Sequence, residues 1–195
     1  LRSEFLNANK EYHEINKKAQ NLLLCFGGGD EFNLSARVTW ILNKFAGIKT
    51  TIVLGAAFNL EEELQEIISQ LPEKPTVIKD AKNIKELLLQ SDLAVCAGGS
   101  ILYELAVTGT PAIIIPMNDH QVENAEEFAK LGSIISVGLH SEIEDADIEN
   151  AIKESLEYPC RMKMSEAGRK ITDGRGAERI AEIIYKHLQE KSETG

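Results

Sequence analysis

Residues 91–124 constrain the fold of this chain more than any other stretch. They read SDLAVCAGGSILYELAVTGTPAIIIPMNDHQVEN, in which Leu93–Cys96 and Pro111–Pro116 are short apolar runs of the kind found in buried strands. A Gly-Gly-Ser turn and a helical segment separate the two runs. Because a helix that joins two such strands makes them parallel, the stretch predicts a strand–helix–strand unit, followed by a polar loop and another helix.

The same alternation of apolar runs and helical segments extends along most of the chain. It predicts strands at 21–26, 50–54, 75–78, 93–96, 111–116 and 134–137, and helices at 33–45, 60–71, 83–90, 121–131 and from 145 onward. We expect Asn33 to cap the helix at 33–45 and Trp40 to lie on its apolar face. The pattern indicates the α/β class: a Rossmann-like parallel sheet of about six strands with helices on both faces and a helical C-terminal segment.

Three segments are expected along the chain. Residues 1–20 are polar and helix-prone and are expected to form an interdomain connector, followed by the Rossmann-like domain at 21–157. Residues 158–195 are expected to form C-terminal helices that pack back on that domain. The chain opens with Leu1 and Arg2 rather than Met, which predicts a fragment whose N-terminal partner domain is missing.

Charge and composition narrow the possible partners. The formal net charge of −10 argues against nucleic acid, which demands a basic surface, and no apolar run approaches the length of a membrane span. The three cysteines suit packing in a reducing cytosol rather than a disulfide framework, which predicts a cytoplasmic protein. No Cys/His cluster has metal-binding spacing, so neither a metal nor another cofactor is expected.

Three polar loops follow three predicted strands, and all should meet at one edge of the sheet. The first of these loops contains Gly28, Gly29 and Asp30. Consecutive glycines let a ligand approach the backbone closely, and Asp30 could orient a hydroxyl group or position Asn33. The loop lacks the spacing of a dinucleotide fingerprint, so a tight turn without a ligand is the alternative.

The second loop contains Gly98, Gly99 and Ser100. We expect Ser100 to cap the following helix, whose free N–H groups and positive dipole end suit a phosphate. Glu104 lies one turn further along the same helix face, where its carboxylate can accept hydrogen bonds from ribose hydroxyls. The combination predicts a nucleoside diphosphate site, and the alternative is a tight turn with a solvated Glu104.

The third loop carries neutral side chains that suit a sugar. Asn118, Gln121 and Asn124 offer amide donors and acceptors for hydroxyl and acetamido groups. His120 lies in the same loop, but a single histidine with no partner visible in the sequence is more often a surface residue than a catalytic base.

Two further patterns are weaker. Asp80 and Ile84 follow the third predicted strand, where a nucleotide base could stack and bond to the main chain. The segment 173–179 interrupts the C-terminal helices, and its two arginines could form a phosphate or sugar clamp or simply mark a solvated helix break.

These segments together resemble a known family. Residues 97–121 look like the nucleotide-sugar half of GT-B enzymes, in which two Rossmann-like domains face one another across a cleft. Within that group the chain is most similar to the pseudaminic-acid pathway UDP-sugar hydrolases and the related spore-coat polysaccharide proteins. Residues 1–5 resemble that family's Leu-Arg-Pro-Glu-Phe interdomain segment, and residues 26–30 its Phe-Gly-Gly-Ser-Asp. Residues 173–179 match its Asp-Gly-x-Gly-Ala-x-Arg segment.

The resemblance implies a role for each loop. The diphosphate would lie on Gly98, Gly99 and Ser100, the ribose on Glu104, and the uracil on the stretch from Asp80 to Ile84. Asn118, Gln121 and Asn124 would approach the sugar, with Gly28 and Gly29 lining the opposite side. In such hydrolases water attacks the anomeric carbon and UDP leaves. The family's catalytic histidine belongs to the N-terminal domain, so no histidine of this chain is assigned that role.

The resemblance therefore predicts the UDP-binding C-terminal half of a UDP-sugar hydrolase of the UDP-diacetamido-trideoxyhexose type. Such an enzyme would act in surface-polysaccharide or nonulosonic-acid biosynthesis, and this half would be inactive alone. Gly29 and His120 depart from the family's pattern, which leaves the sugar and the choice between hydrolysis and glycosyl transfer open. The alternatives are the donor domain of a GT-B glycosyltransferase and a non-catalytic nucleotide-binding module.

Overall fold

A six-stranded parallel sheet forms the centre of the protein. The computed structural model describes residues 1–11 and 14–193, with side chains through Gln189. The strands lie in the order β3-β2-β1-β4-β5-β6 and are β1 Asn21–Cys25, β2 Lys49–Leu54, β3 Thr76–Lys79, β4 Leu93–Cys96, β5 Ala112–Ile114 and β6 Ile134–Ser136. The helices are α1 Leu34–Leu42, α2 Glu61–Gln70, α3 Ile84–Leu89, α4 Ile101–Thr108, α5 Asp119–Lys130, α6 Asp145–Leu156, α7 Tyr158–Ile171 and α8 Gly176–Glu193. The predicted fold class is confirmed.

Both faces of the sheet are buried, which explains the continuous apolar runs in the sequence. Successive side chains of a strand point to opposite faces. In β1, Leu22 and Leu24 pack with α1, α2 and α6 on one face, while Leu23 packs with α3, α4 and α5 on the other. A strand that is covered on both faces needs apolar residues at every position.

Helix α1 differs from its prediction at its start. Asn33 stands directly before the helix in a left-handed conformation, with φ of 51°, and its side chain makes no capping hydrogen bond. The Asp30 carboxylate caps the helix instead, because it accepts hydrogen bonds from the N–H groups of Leu34 at 2.8 Å and Ser35 at 2.9 Å. The expectation that Asn33 caps the helix is therefore wrong.

The apolar face expected for α1 also needs correction at one residue. The helix ends at Leu42, earlier than predicted, and Trp40 is 46% exposed. Val38 and Ile41 fill the core-facing positions, so Trp40 falls on the outer side of the helix.

The leading segment does not form the helical connector that its composition favours. It contains two short 3₁₀ helices, Ser3–Phe5 and Ala8–Lys10, and is attached to the domain by buried polar groups. Asp92 accepts hydrogen bonds from the Asn16 side chain at 2.7 Å and from the N–H groups of residues 20 and 21 at 2.9 Å. Arg161 is fully buried and donates to the carbonyls of residues 16 and 17. Because distant side chains bind the main-chain groups of residues 16, 17, 20 and 21, residues 14–20 form no helix.

Helices α7 and α8 differ in how they pack on the rest of the domain. Helix α7 packs against α4, and a Cβ at Gly168 would stand 3.3 Å from the Ala106 Cα. Helix α8 does not follow the expectation of packing back, since its large apolar residues are all at least half exposed: Ile180, Ile183, Ile184, Tyr185 and Leu188. Within the described ranges, no helix has the length and apolar character needed to cross a membrane. Residues 194–195 lie outside the described residues, and the predicted segment boundaries stay predictions.

The strand order sets where a ligand can bind. The chain moves outward from β1 to β2 and β3, then returns to place β4 on the other side of β1. The loops that follow β1 and β4 leave the sheet in opposite directions and open a crevice between them. Both glycine loops identified in the sequence border this crevice.

Replacing Asp30 by Ala tests the capping of α1. The variant loses the acceptor for two buried N–H groups, and alanine disfavours the left-handed backbone at this position, where φ is 44°. We expect the free energy of unfolding in urea to fall by about 2 kcal/mol. The neighbouring exposed Glu31→Ala is the matched control and should stay within about 0.5 kcal/mol of the unaltered protein. Equal stability of the two variants would contradict the assignment of the cap.

Candidate functional site

A cleft of about 1280 Å³ opens at the carboxyl ends of the strands. Its walls are the loops after β1, β2, β3, β4 and β5, together with the first residues of the chain and residues 172 and 176 near the start of α8. Of the eleven site residues predicted from the sequence, nine line this cleft: Gly28, Gly29, Asp80, Ile84, Gly99, Ser100, Glu104, Asn118 and Gln121. The structure thus gathers most of the predicted site, and Gly98 and Asn124 are not among the lining residues that it describes.

The first glycine loop is closely packed against the loop after β2. A Cβ at Gly55 would stand only 2.3 Å from the Gly28 carbonyl oxygen, and the same oxygen accepts a hydrogen bond from the Ala57 N–H at 3.1 Å. At Gly28 itself a Cβ would meet nothing within 4 Å. Gly55 therefore permits the two loops to touch, and Gly28 presents bare backbone to the cleft.

Gln121 connects the second and third loops. Its side-chain oxygen Oε1 accepts hydrogen bonds from the N–H groups of Gly98 at 3.1 Å and Met117 at 2.9 Å. Gly98 is buried, and a Cβ there would stand 2.8 Å from the Gln121 carbonyl oxygen. Gly98 thus serves a contact between loops, while Gln121 keeps only its amide N–H donors for a ligand.

Asn118 also has a structural task. It is the N-cap residue of α5, and its Oδ1 accepts a hydrogen bond from the Gln121 N–H at 3.1 Å. Its amide nitrogen remains available to the cleft. Asn124 and His120 are exposed on α5 and do not reach the described walls of the cleft.

The start of α4 offers main-chain donors to the cleft. Ser100 has helical dihedral angles and makes no side-chain capping hydrogen bond, so the expectation that its hydroxyl caps α4 is wrong. The N–H groups of Gly99, Ser100 and Ile101 have no acceptor within the described part of the chain. A Cβ at Gly99 would meet nothing within 4 Å, which leaves room for a ligand above these donors.

Glu104 is neither solvated nor free. It is 5% exposed, and its carboxylate receives a bidentate pair of hydrogen bonds from Arg2, with Nη2 at 2.9 Å from both oxygens and Nε at 3.1 Å from Oε1. Burial raises the pKa of Glu104 above its usual value, and the hydrogen bond and charge of Arg2 oppose that rise. A buried carboxylate fixed in this way can still accept hydrogen bonds at the cleft wall, because each oxygen has two lone pairs.

Asp80 and Ile84 border the cleft beyond β3. Asp80 has a left-handed conformation, with φ of 51°, and its N–H donates to the Leu54 carbonyl at 2.8 Å. Its half-exposed carboxylate pairs with Lys82, while Ile84 is buried as the first residue of α3. The pair supplies an apolar surface beside a sharply turned backbone.

The arginines of the segment 173–179 bind neighbouring carboxylates rather than the cleft. Arg179 donates to Asp173 at 2.7 Å, which lowers the pKa of Asp173 to about 2, and Arg175 donates to Glu178 at 2.7 Å. Both arginines are exposed, and of this segment only Gly176 lines the cleft. This geometry favours a solvated helix break at residues 173–179 over a phosphate or sugar clamp.

Arg2 and Phe32 are two of the lining side chains that the sequence patterns did not indicate. Arg2 reaches Glu104 across a separation of 102 residues, which no local pattern could reveal. Phe32, 46% exposed, stacks on His140 with ring centroids 3.7 Å apart. An exposed aromatic residue next to a glycine loop was the available signal for Phe32.

Two known proteins, among others, are similar in sequence to this chain. The spore coat polysaccharide biosynthesis protein SpsG of Bacillus subtilis is 28% identical over 181 residues, covering 91% of this chain and 53% of that protein. The UDP-N-acetylglucosamine–N-acetylmuramyl-(pentapeptide) pyrophosphoryl-undecaprenol N-acetylglucosamine transferase of Methylococcus capsulatus is 30% identical over 131 residues, covering 64% of this chain and 37% of that protein. This chain therefore spans less than two thirds of the length of either relative.

Solved structures share the fold. MurG of Acinetobacter baumannii superimposes with a TM-score of 0.73 at 17% identity, over 93% of this chain and 53% of that chain. The S. aureus MnaA–UDP co-structure gives a TM-score of 0.68 at 17% identity, over 97% and 50% of the two chains. At this identity the likeness establishes the fold alone. The model of the glycosyltransferase family 28 C-terminal domain matches residues 22–184, a span that runs from β1 into α8, and the chain accordingly belongs to that family.

Proposed function

We propose that this chain binds the UDP part of a UDP-sugar in the cleft at the carboxyl ends of β1 and β4. The observation that carries the proposal is the start of α4. There, free main-chain N–H groups stand beside open space at Gly99 and one helical turn from the buried carboxylate of Glu104. In UDP the diphosphate is bonded to the ribose. The diphosphate needs hydrogen-bond donors and the ribose hydroxyls need an acceptor, and the start of α4 provides them in this order.

The diphosphate would be bound by main chain rather than by basic side chains. The charged side chains among the described lining residues are Asp30, Glu31, Asp80, Glu104 and a single basic one, Arg2. An acidic wall repels a phosphate, so attraction must come from the N–H groups and the positive dipole end of α4. These donors point to fixed positions and need no ordering when the ligand arrives.

The nucleoside would extend from α4 towards α3. Glu104 would accept hydrogen bonds from the ribose hydroxyls, and Ile84 would contact one face of the base. The turned backbone at Asp80 would offer main-chain groups to the edge of the base. The sugar would face the third loop, where the amide nitrogens of Asn118 and Gln121 remain as donors.

The names of relatives support the choice of UDP. The Methylococcus relative is named as a transferase that uses UDP-N-acetylglucosamine, and the S. aureus neighbour in fold is a co-structure with UDP. SpsG is named for spore coat polysaccharide biosynthesis. A nucleotide-binding module without catalysis is a weaker proposal, because it leaves these names unexplained.

For the whole protein we propose hydrolysis of the UDP-sugar, with this chain binding the leaving group. Water would attack the anomeric carbon, the bond from that carbon to the diphosphate oxygen would break, and UDP would leave. The α4 N–H groups would stabilise the negative charge that develops on the diphosphate. The group that activates water would belong to a partner domain, as the resemblance to hydrolases whose catalytic histidine lies in the N-terminal domain implies.

Glycosyl transfer is the second candidate, and the transferase relative favours it. The same leaving-group site serves both reactions, because only the attacking oxygen differs. Incubating the full-length protein with its UDP-sugar distinguishes them. Free sugar and UDP formed without an acceptor indicate hydrolysis, whereas UDP release that depends on an added sugar acceptor indicates transfer.

Titration calorimetry with UDP tests the site itself. We expect the unaltered protein to bind UDP, and Glu104→Gln to bind it about tenfold more weakly, because hydrogen bonds to a charged acceptor are replaced by weaker ones. The same exchange at an exposed glutamate of α5, Glu126→Gln, is the matched control and should leave the affinity unchanged. If UDP at about millimolar concentration produced neither heat nor a thermal shift, this result would contradict the proposal.

Alanine at the two neighbouring glycines separates packing from binding. Gly98→Ala should lower the free energy of unfolding by about 1–3 kcal/mol, because its Cβ would collide with the Gln121 backbone. Gly99→Ala should leave stability nearly unchanged, because its Cβ enters open space, yet weaken UDP binding about tenfold where the diphosphate approaches the backbone. Thermal melts and calorimetry on both variants give the comparison. Full UDP affinity in a stable Gly99→Ala variant would place the diphosphate elsewhere.

A further inference from the structure

Arg2 is held at the cleft wall by three separate contacts. Its Nε and Nη2 donate to Glu104, its Nη1 lies 3.3 Å from a Glu4 carboxylate oxygen, and its guanidinium carbon lies 5.4 Å from the centre of the Phe5 ring. Phe5, against which the guanidinium lies, is fully buried. All three guanidinium nitrogens are directed at carboxylates.

Because its three guanidinium nitrogens are directed at carboxylates, Arg2 is not arranged to contact a phosphate directly. A guanidinium that binds a phosphate presents its paired N–H donors to the ligand. Here the paired donors point at the Glu104 carboxylate. The Glu104 side chain is only 7% exposed, so without these donors its negative charge would be buried and unpaired. The geometry instead fits a cation that orients the side chain of another residue of the protein.

We propose that Arg2 is a positioning residue, which holds the Glu104 carboxylate ionised and aimed at the cleft so that it can accept the ribose hydroxyls. This inference rests on the proposed function and adds to it a residue from the leading segment. The bidentate fork fixes both the rotation and the charge of the carboxylate. Glu104 keeps lone pairs for the ligand, because Oε2 receives only one of the hydrogen bonds from Arg2.

The charge environment of Glu104 gives the inference a pH signature. The titratable side chains that face it are Arg2 and Glu4 from the leading segment, with the thiols of Cys25 on β1 and Cys96 on β4. Loss of Arg2 removes the main influence that lowers the pKa of Glu104, so the carboxyl group would take up a proton at a higher pH. Ribose recognition would then weaken as the pH falls, and would do so earlier in the variant than in the unaltered protein.

The experiment compares two ligands that differ only at the ribose. Calorimetry measures UDP and 2′,3′-dideoxyuridine 5′-diphosphate with the unaltered protein, Arg2→Gln, Arg2→Lys and the remote control Lys44→Gln, which loses an exposed pair with Glu149. We expect the unaltered protein and the control to prefer UDP by about tenfold, and Arg2→Gln by about threefold or less, with little change for the dideoxy ligand. Lowering the pH from about 7.5 to about 5.5 should reduce the preference further in Arg2→Gln, and Arg2→Lys should be intermediate.

Each other outcome contradicts the inference in a different way. An equal loss of affinity for both ligands would mean that Arg2 contacts the diphosphate, and an unchanged preference with an unchanged pH profile would mean that Arg2 only supports the leading segment. If the unaltered protein binds no UDP, the proposed function fails and this inference with it. Binding of UDP with an unaltered preference in Arg2→Gln overturns this inference alone.

Discussion

The pairing of β1 with β4 is the constraint on which the rest of the structure depends. Their register, which places Cys25 opposite Cys96, brings the ends of two strands side by side although 70 residues of chain lie between them. Each strand is buried on both faces, so neither can slide or tilt without exposing apolar side chains. The two glycine loops that follow are therefore held next to one another by the core.

The loops around the cleft are joined by groups that a ligand would otherwise use. The Gln121 oxygen bonds to two main-chain N–H groups, the Asn118 oxygen caps α5, and the Asp30 carboxylate caps α1. These acceptors keep the cleft in shape before any ligand arrives. The main-chain donors at the start of α4 and the carboxylate of Glu104 are not used to join the loops, and this division suits an anionic group attached to a hydroxylated one.

The sequence predicted the fold class, and nine of its eleven candidate site residues line the cleft, because both follow from local patterns. Buried runs ending in glycines identify strands and the loops at their ends, and these loops meet at one edge in a parallel sheet. The caps were predicted less well. Asn33 and Ser100 have suitable side chains at suitable positions, yet Asp30 caps α1 and no side chain caps α4, because the backbone conformation at each turn decides which oxygen reaches the helix.

The sequence by itself determined an α/β sheet, its family and the glycine loops, since each depends on residues that are neighbours along the chain. Only the tertiary structure decided that Gly98 packs against Gln121 while Gly99 faces open space, and that Arg2 meets the Glu104 carboxylate. Adjacent glycines are indistinguishable in a sequence, but a twisted backbone turns one towards the core and the other towards solvent. An ion pair across 102 residues depends on how the leading segment packs, which no spacing along the chain records.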